Sequence, residues 1–145
     1  MADLTSSSLT IGAPPYQVLE VIADLHAYPE WNGEIKRVEV LETEKDGRPR
    51  LARFSISSSG MSDEYTLDYD WADDGVSWTL VAPSTLQRSQ VGSYRLSPAS
   101  GGTEVRYDLR IDAKIPMIGP MRRKIEKRIV DGALKELKKR VESLG

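Results

Sequence analysis

From Glu34 the hydrophobic pattern of this chain has a period of two, and its change at Pro116 limits the possible folds more than any other feature. Before it, apolar residues recur at every second position. Tyr65, Leu67, Tyr69 and Trp71 alternate with Glu64, Thr66, Asp68 and Asp70, as in a strand with one buried face and one solvated face. Residues 35–43 form a similar run, and Phe54 and Ile56 alternate with Ser55 and Ser57. Val76, Trp78 and Leu80 follow, then residues 86–96, then Val105, Tyr107, Leu109 and Ile111. Asp46-Gly47, Ser58-Ser59-Gly60, Asp74-Gly75 and Gly101-Gly102 separate the runs, with residues that tolerate the backbone of tight hairpins. After Pro116 the spacing turns helical. Met121, Ile125, Ile129, Ala133, Leu137 and Val141 fall four apart, widened by Ile118, Val130, Leu134 and Leu144. That predicts one helix over residues 118–144, ~40 Å long at 1.5 Å per residue.

Ahead of the meander, residues 4–11 read as a short strand. Ala13-Pro14-Pro15 then opens a helix, since a first turn tolerates proline, and Val18, Leu19, Ile22 and Leu25 form its apolar stripe. Pro29 ends it, and residues 28–33 read as a second short turn or helix. The order is strand, helix pair, six strands, long helix, an α+β class. A curved antiparallel sheet must cover its apolar face, and only the C-terminal helix is long enough to do so. Apolar space is left between them unless large side chains fill it.

Composition removes whole classes of chemistry. The 145 residues are expected to form a single domain, 1–145, with an ordinary core. There is no Cys and one His, His26, so thiol nucleophiles, thiolate metal sites and paired-His catalysis are excluded within one chain. No metal and no cofactor are expected, and His26 reads as a helix-end residue that meets terminal carbonyls. No apolar run approaches a membrane span. Residues 1–10 lack the basic cluster and apolar stretch of a secretion signal, so a cytoplasmic location is expected. The net charge of −2 is unevenly spread, −8 over residues 1–113 and +6 over residues 114–145. The basic segment reads as a solvated helix face. No aromatic residue follows Tyr107, so it lacks stacking platforms for nucleic acid and no specific nucleic-acid binding is expected. Weak peripheral contact with an anionic membrane is the most it suggests. The acidic set Asp63, Glu64, Asp68, Asp70, Asp73 and Asp74 reads as solvated, without the glycine loop of a calcium site.

Candidate binding residues follow from strand parity. Phe54, Ile56, Tyr65, Leu67, Tyr69, Trp78 and Leu80 should share the inward face, an aromatic-rich set whose tyrosines need polar partners when buried. Arg88 and Gln90 share parity with Gly92, Tyr94 and Leu96. Either Arg88 points inward and needs an acidic partner or ligand group, or it sits at the strand mouth and snorkels to water. Gly92 in mid-strand signals a kink or a close approach. Trp31 follows Pro29 at the helix–strand corner, where a large ring can serve as a structural plug. Leu109 in the last strand, with Ile125 and Ile129 in the helix, completes the set.

Several motifs carry a family resemblance: Ala13-Pro14 before the first helix, Asp24-Leu25, Tyr28-Pro29-Glu30-Trp31, Gly101-Gly102-Thr103-Glu104-Val105 and Leu134-Lys135-Glu136-Leu137-Lys138. With the element order, the chain resembles the START/Bet v1-like (SRPBCC, helix-grip) superfamily, most closely its small polyketide cyclase/dehydrase-type members. The resemblance implies a cavity between sheet and long helix that takes a hydrophobic small molecule, lipid or polyketide-like, in a monomer or homodimer. It also implies that Trp31 borders the cavity entrance, where a lid is the alternative to a structural plug. In catalytic cyclases of the superfamily a Tyr at the start of the second strand and an Arg in the fourth face the cavity. Ile35 and Tyr69 stand at those positions here. Ile35 moves no proton, and a tyrosine replaces a guanidinium poorly. The two-His iron site of the ring-hydroxylase branch is excluded by the single His. Ligand binding is therefore the expected function. The alternative is a polyketide aromatase/cyclase or dehydratase with non-standard groups, Arg88 supplying the cation.

Overall fold

Alternation and turn chemistry produce the meander. The computed structural model describes residues 4–58 and 60–144. Its strands are β1 (Thr5–Ile11), β2 (Ile35–Thr43), β3 (Pro49–Ser58), β4 (Met61–Ala72), β5 (Gly75–Leu80), β6 (Gln87–Ala99) and β7 (Gly102–Ala113). All pair antiparallel in one sheet ordered β1-β7-β6-β5-β4-β3-β2. Between β1 and β2 run α1 (Pro15–Ala23), a 3₁₀ turn (Leu25–Ala27) and the four-residue α2 (Tyr28–Trp31). The chain ends in α3 (Gly119–Leu144). This is the helix-grip arrangement, a curved sheet closed by one long helix. Of the expected Ser58-Ser59-Gly60 turn, Ser59 lies outside the described residues, as do residues 1–3 of the N-terminal stretch.

Two local expectations shift. Asp73 and Asp74 make the turn between β4 and β5, and Gly75 already belongs to β5. Glycine is required there because a Cβ would lie 2.1 Å from the Tyr94 carbonyl oxygen. His26 lies exposed in the 3₁₀ turn, and its ring makes no hydrogen bond among the described residues.

The buried line of α3 also differs from the four-apart series. Residues four apart drift by ~40° per step around a 3.6-residue helix, so Met121 and Val141 cannot both face the sheet. α3 packs against β1, β7 and α1, burying Val130, Leu134, Leu137 and Val141. Met121 and Ile125 stay exposed. The line also takes in Glu126, 1% exposed. Its carboxylate accepts from Arg122 Nη1 at 2.8 and 2.9 Å, Thr5 Oγ1 at 2.6 Å and the Ile111 amide at 2.7 Å. A buried carboxylate is tolerated because each lone pair is used, and it ties α3 to β1 and β7. Among the described residues, no helix is long and apolar enough to cross a membrane.

Candidate ligand-binding cavity

Because α3 lies over β1 and β7, the inner face of the middle strands is left looking into open space. Even positions face inward on β3 and odd ones on β4, which brings Phe54, Tyr65, Leu67 and Tyr69 to one side. With residues from α1, α2, β5, β6, β7 and α3 they enclose a cavity of about 310 Å³, at the lower end of small-molecule sites (~300–1,000 Å³).

The wall is a continuous aromatic ribbon. Phe54 stacks on its cross-strand partner Tyr65 at 5.6 Å and on Tyr69 at 6.4 Å. Tyr69 stacks on Trp78 at 5.8 Å, and Trp78 meets Tyr94 and Tyr107 at 5.6 and 5.7 Å. Tyr28, 4.9 Å from Trp31 and 6.3 Å from Phe54, joins α2 to the same surface. Gly92 resolves as a close approach. It pairs with Trp78 across strands, and a Cβ there would fall 2.4 Å from the indole, so glycine lets the ring lie flat on β6.

Polar groups on this wall are few and of two kinds. One is a buried relay. Trp78 Nε1 donates to Gln90 Oε1 (3.0 Å), Gln90 Nε2 to Gln87 Oε1 (2.7 Å), and Gln87 Nε2 to Asp63 Oδ2 (3.4 Å), which also accepts from Ser84 Oγ (2.6 Å). Asp63 is thus not part of a solvated acidic face. It is buried, because it shares the odd parity of Tyr65 and Leu67. The other kind is the tyrosines. Tyr28 donates to the Ile22 carbonyl at 2.5 Å, whereas the hydroxyls of Tyr65, Tyr69, Tyr94 and Tyr107 have no hydrogen-bond partner among the described residues. Trp31 Nε1 is buried without a partner.

Burial raises the hydroxyl pKa of Tyr28, Tyr65, Tyr69, Tyr94 and Tyr107 above the ordinary value, and neighbouring tyrosines or carboxylates add to it. They remain protonated, uncharged donors. A folded-state pKa above the unfolded value gives stability that is complete below about pH 10 and declines as the pH rises further. These tyrosines are expected to ionise together with alkaline unfolding. Tyrosinate absorbance followed beside circular dichroism checks this. Smooth ionisation of every tyrosine near pH ~10 with the fold intact would contradict it.

Among the expected binding residues, Trp31, Phe54, Ile56, Tyr65, Leu67, Tyr69, Trp78, Gln90, Tyr94, Leu109, Ile125 and Ile129 line the cavity. Leu80 and Arg88 do not. Leu80, the last residue of β5, is half-buried and packs against the core. Arg88 is displaced by a β-bulge: Gln87 pairs with Ala113 and Ser89 with Asp112, so one extra residue inverts the parity. The bulge sends Gln87 inward and Arg88 out, where its Nη1 donates to the Ala113 carbonyl at 3.0 Å and lies 3.9 Å from Asp112. Tyr28, Gln87, Tyr107 and Arg128 are lining residues absent from the expected set. Tyr107 was detectable from its parity with Leu109, and Arg128 from its spacing of three from Ile125. Tyr28 carries no periodic signal, and the bulge hides Gln87. Glu34, Ile125 and Arg128, all exposed, form the mouth.

The family model described as polyketide cyclase / dehydrase and lipid transport matches residues 1–142. The chain belongs to that family. Among solved structures it is similar to a START superfamily protein from Mycobacterium smegmatis, at 26% identity and a TM-score of 0.92, covering 99% of this chain and 100% of that one. A protein from Thermus thermophilus is similar at 21% identity and a TM-score of 0.83, covering 99% of each chain. The Zhui aromatase/cyclase from a Streptomyces species matches at 16% identity and a TM-score of 0.75, covering 97% of this chain and 93% of its own. No curated protein matches the sequence. Membership in the polyketide cyclase / dehydrase and lipid transport family is compatible with either ligand binding or cyclase chemistry, so the cavity's own groups must distinguish them. Ile35 lines the cavity where the resemblance places a cyclase tyrosine, and the arginine at the cavity sits at its mouth, as Arg128.

Proposed function

We propose that the protein binds and carries a hydrophobic small molecule with an aromatic or polyene body and a few oxygen atoms, lipid or polyketide-like. The carrying observation is the aromatic wall with four tyrosine hydroxyls that have no hydrogen-bond partner among the described residues. These hydroxyls open onto the cavity, since Trp31 Nε1 is the one side-chain polar atom sealed in protein without a partner among the described residues, and a ligand oxygen at each would gain a hydrogen bond worth about 0.5–1.5 kcal/mol. Cyclase chemistry is less well supplied. Protonated tyrosines with raised pKa values are weak acids, and Arg88 points away from the cavity. In this reading the protein is a monomer or homodimer that makes no specific contact with nucleic acid and acts in the cytoplasm.

A neutral apolar fluorophore such as N-phenyl-1-naphthylamine is expected to bind the native protein with energy transfer from tryptophan. Leu67→Trp, which fills the middle of the cavity, should weaken that binding by more than tenfold while cooperative melting is retained. No binding by the wild type, or equal binding by the variant, would refute the carrier reading. Cyclised product from a polyketide thioester mimic, above a no-protein control, would replace it with the enzyme reading.

A further inference from the structure

The N-terminal end of α3 breaks two rules of stability in one place. Ile115, Ile118, Met121 and Ile125 are 54%, 69%, 51% and 43% exposed, whereas soluble surfaces rarely gather large apolar side chains. Ile118, Met121 and Ile125 stand at helical spacing of three and four, and the Arg122 amide already donates to the Ile118 carbonyl, so they share one face. The second breach is charge. α3 has no acidic residue in its first turn, and Arg122, Arg123 and Lys124 follow at once, although this end of the helix dipole favours anions. Glu126 neutralises Arg122 and Asp131 neutralises Lys127. Lys114, Arg123, Lys124 and Arg128 have no side-chain partner among the described residues.

We infer that this end of the molecule docks onto an anionic phospholipid bilayer, with the isoleucines and Met121 entering the headgroup layer and the four free cations on lipid phosphates or carboxylates. Both breaches are resolved by such a surface, which takes up apolar side chains and supplies negative charge together. A second copy of the chain fits poorly, since like patches would bring their cations together. Nucleic acid would leave the apolar face uncovered. The net charge of −8 over residues 1–113 orients the molecule, holding the acidic body away from the membrane. Ile125 and Arg128 also form part of the cavity mouth, so docking turns the mouth towards the lipid. Charge patterning alone suggests only weak attraction; the exposed apolar side chains add insertion. The docking does not depend on what the cavity holds.

The test is flotation of the full chain with vesicles of phosphatidylcholine alone and of phosphatidylcholine with about one third phosphatidylglycerol, at ~0.15 M salt. Partitioning onto the anionic vesicles should exceed that onto the neutral ones by at least tenfold. The pairs Ile118→Asp with Met121→Asp, and Arg123→Glu with Lys124→Glu, should each lower it by tenfold or more. All four positions are exposed, and unchanged melting and fluorophore binding show that fold and cavity survive. No binding to anionic vesicles, or binding that either pair leaves intact, would overturn the inference. So would self-association abolished by Ile118→Asp, which would assign the patch to a second copy.

Discussion

A chain ending at Pro116 is expected to show no cooperative unfolding transition. α3 contributes Val130, Leu134, Leu137 and Val141, each at most 1% exposed, and burial of such a side chain is worth about 1.5–3 kcal/mol. Together they supply roughly 6–12 kcal/mol, comparable to the whole stability of a domain this size, about 5–15 kcal/mol. Truncation also exposes the inner faces of β1 and β7 and removes the partner of α1. Calorimetry and near-ultraviolet circular dichroism of the truncated chain should show a broad, non-cooperative melt and aggregation. A sharp transition with native strand content would mean that the sheet and its short helices close the core without α3.

Glu126→Ala should be the most destabilising single substitution on α3. It removes the acceptor for Arg122, Thr5 and the Ile111 amide at once, leaving a guanidinium 13% exposed without a counter-charge. Losing one partner of a buried ion pair costs about 3–5 kcal/mol, which at this chain length corresponds to a fall in Tm of about 10 °C or more. Glu126→Gln keeps the volume and one acceptor oxygen, so it should lose distinctly less. Glu42→Ala, at the exposed pair with Arg50, should change stability by no more than about 1 kcal/mol. Equal Tm values for Glu126→Ala and Glu42→Ala would show that the buried clamp adds nothing.

Much of the cavity was legible because strand parity is a strict physical rule. Where the ladder is regular, alternation alone places a side chain: Phe54, Tyr65, Leu67, Tyr69 and Trp78 all arrive on one wall. Asp63 obeys the same rule, and only its charge led to its placement in water. Arg88 was legible to the extent that its two placements could be named. The choice between them depends on one inserted residue, and nothing in the local sequence marks the bulge. Glu126 was not legible. A carboxylate surrounded in sequence by Arg122, Arg123, Lys124, Lys127 and Arg128 reads as a solvated charge, and its three acceptor contacts come from β1, β7 and its own helix.

By itself, then, the sequence determined the period switch, and with it an antiparallel sheet of six to seven strands and one long helix, because side-chain periodicity is a local property of the backbone. It also determined the aromatic character of the sheet's inner face. Tertiary structure decided how α3 is rotated, since a series four residues apart winds around a 3.6-residue helix and only docking on β1 and β7 selects the buried line. That rotation sets Glu126 inside, leaves Met121 and Ile125 outside, and brings Arg128 to the mouth. Tertiary structure also decided that the middle strands remain uncovered: the helix is one element wide, the sheet is seven strands wide, and the difference is the cavity.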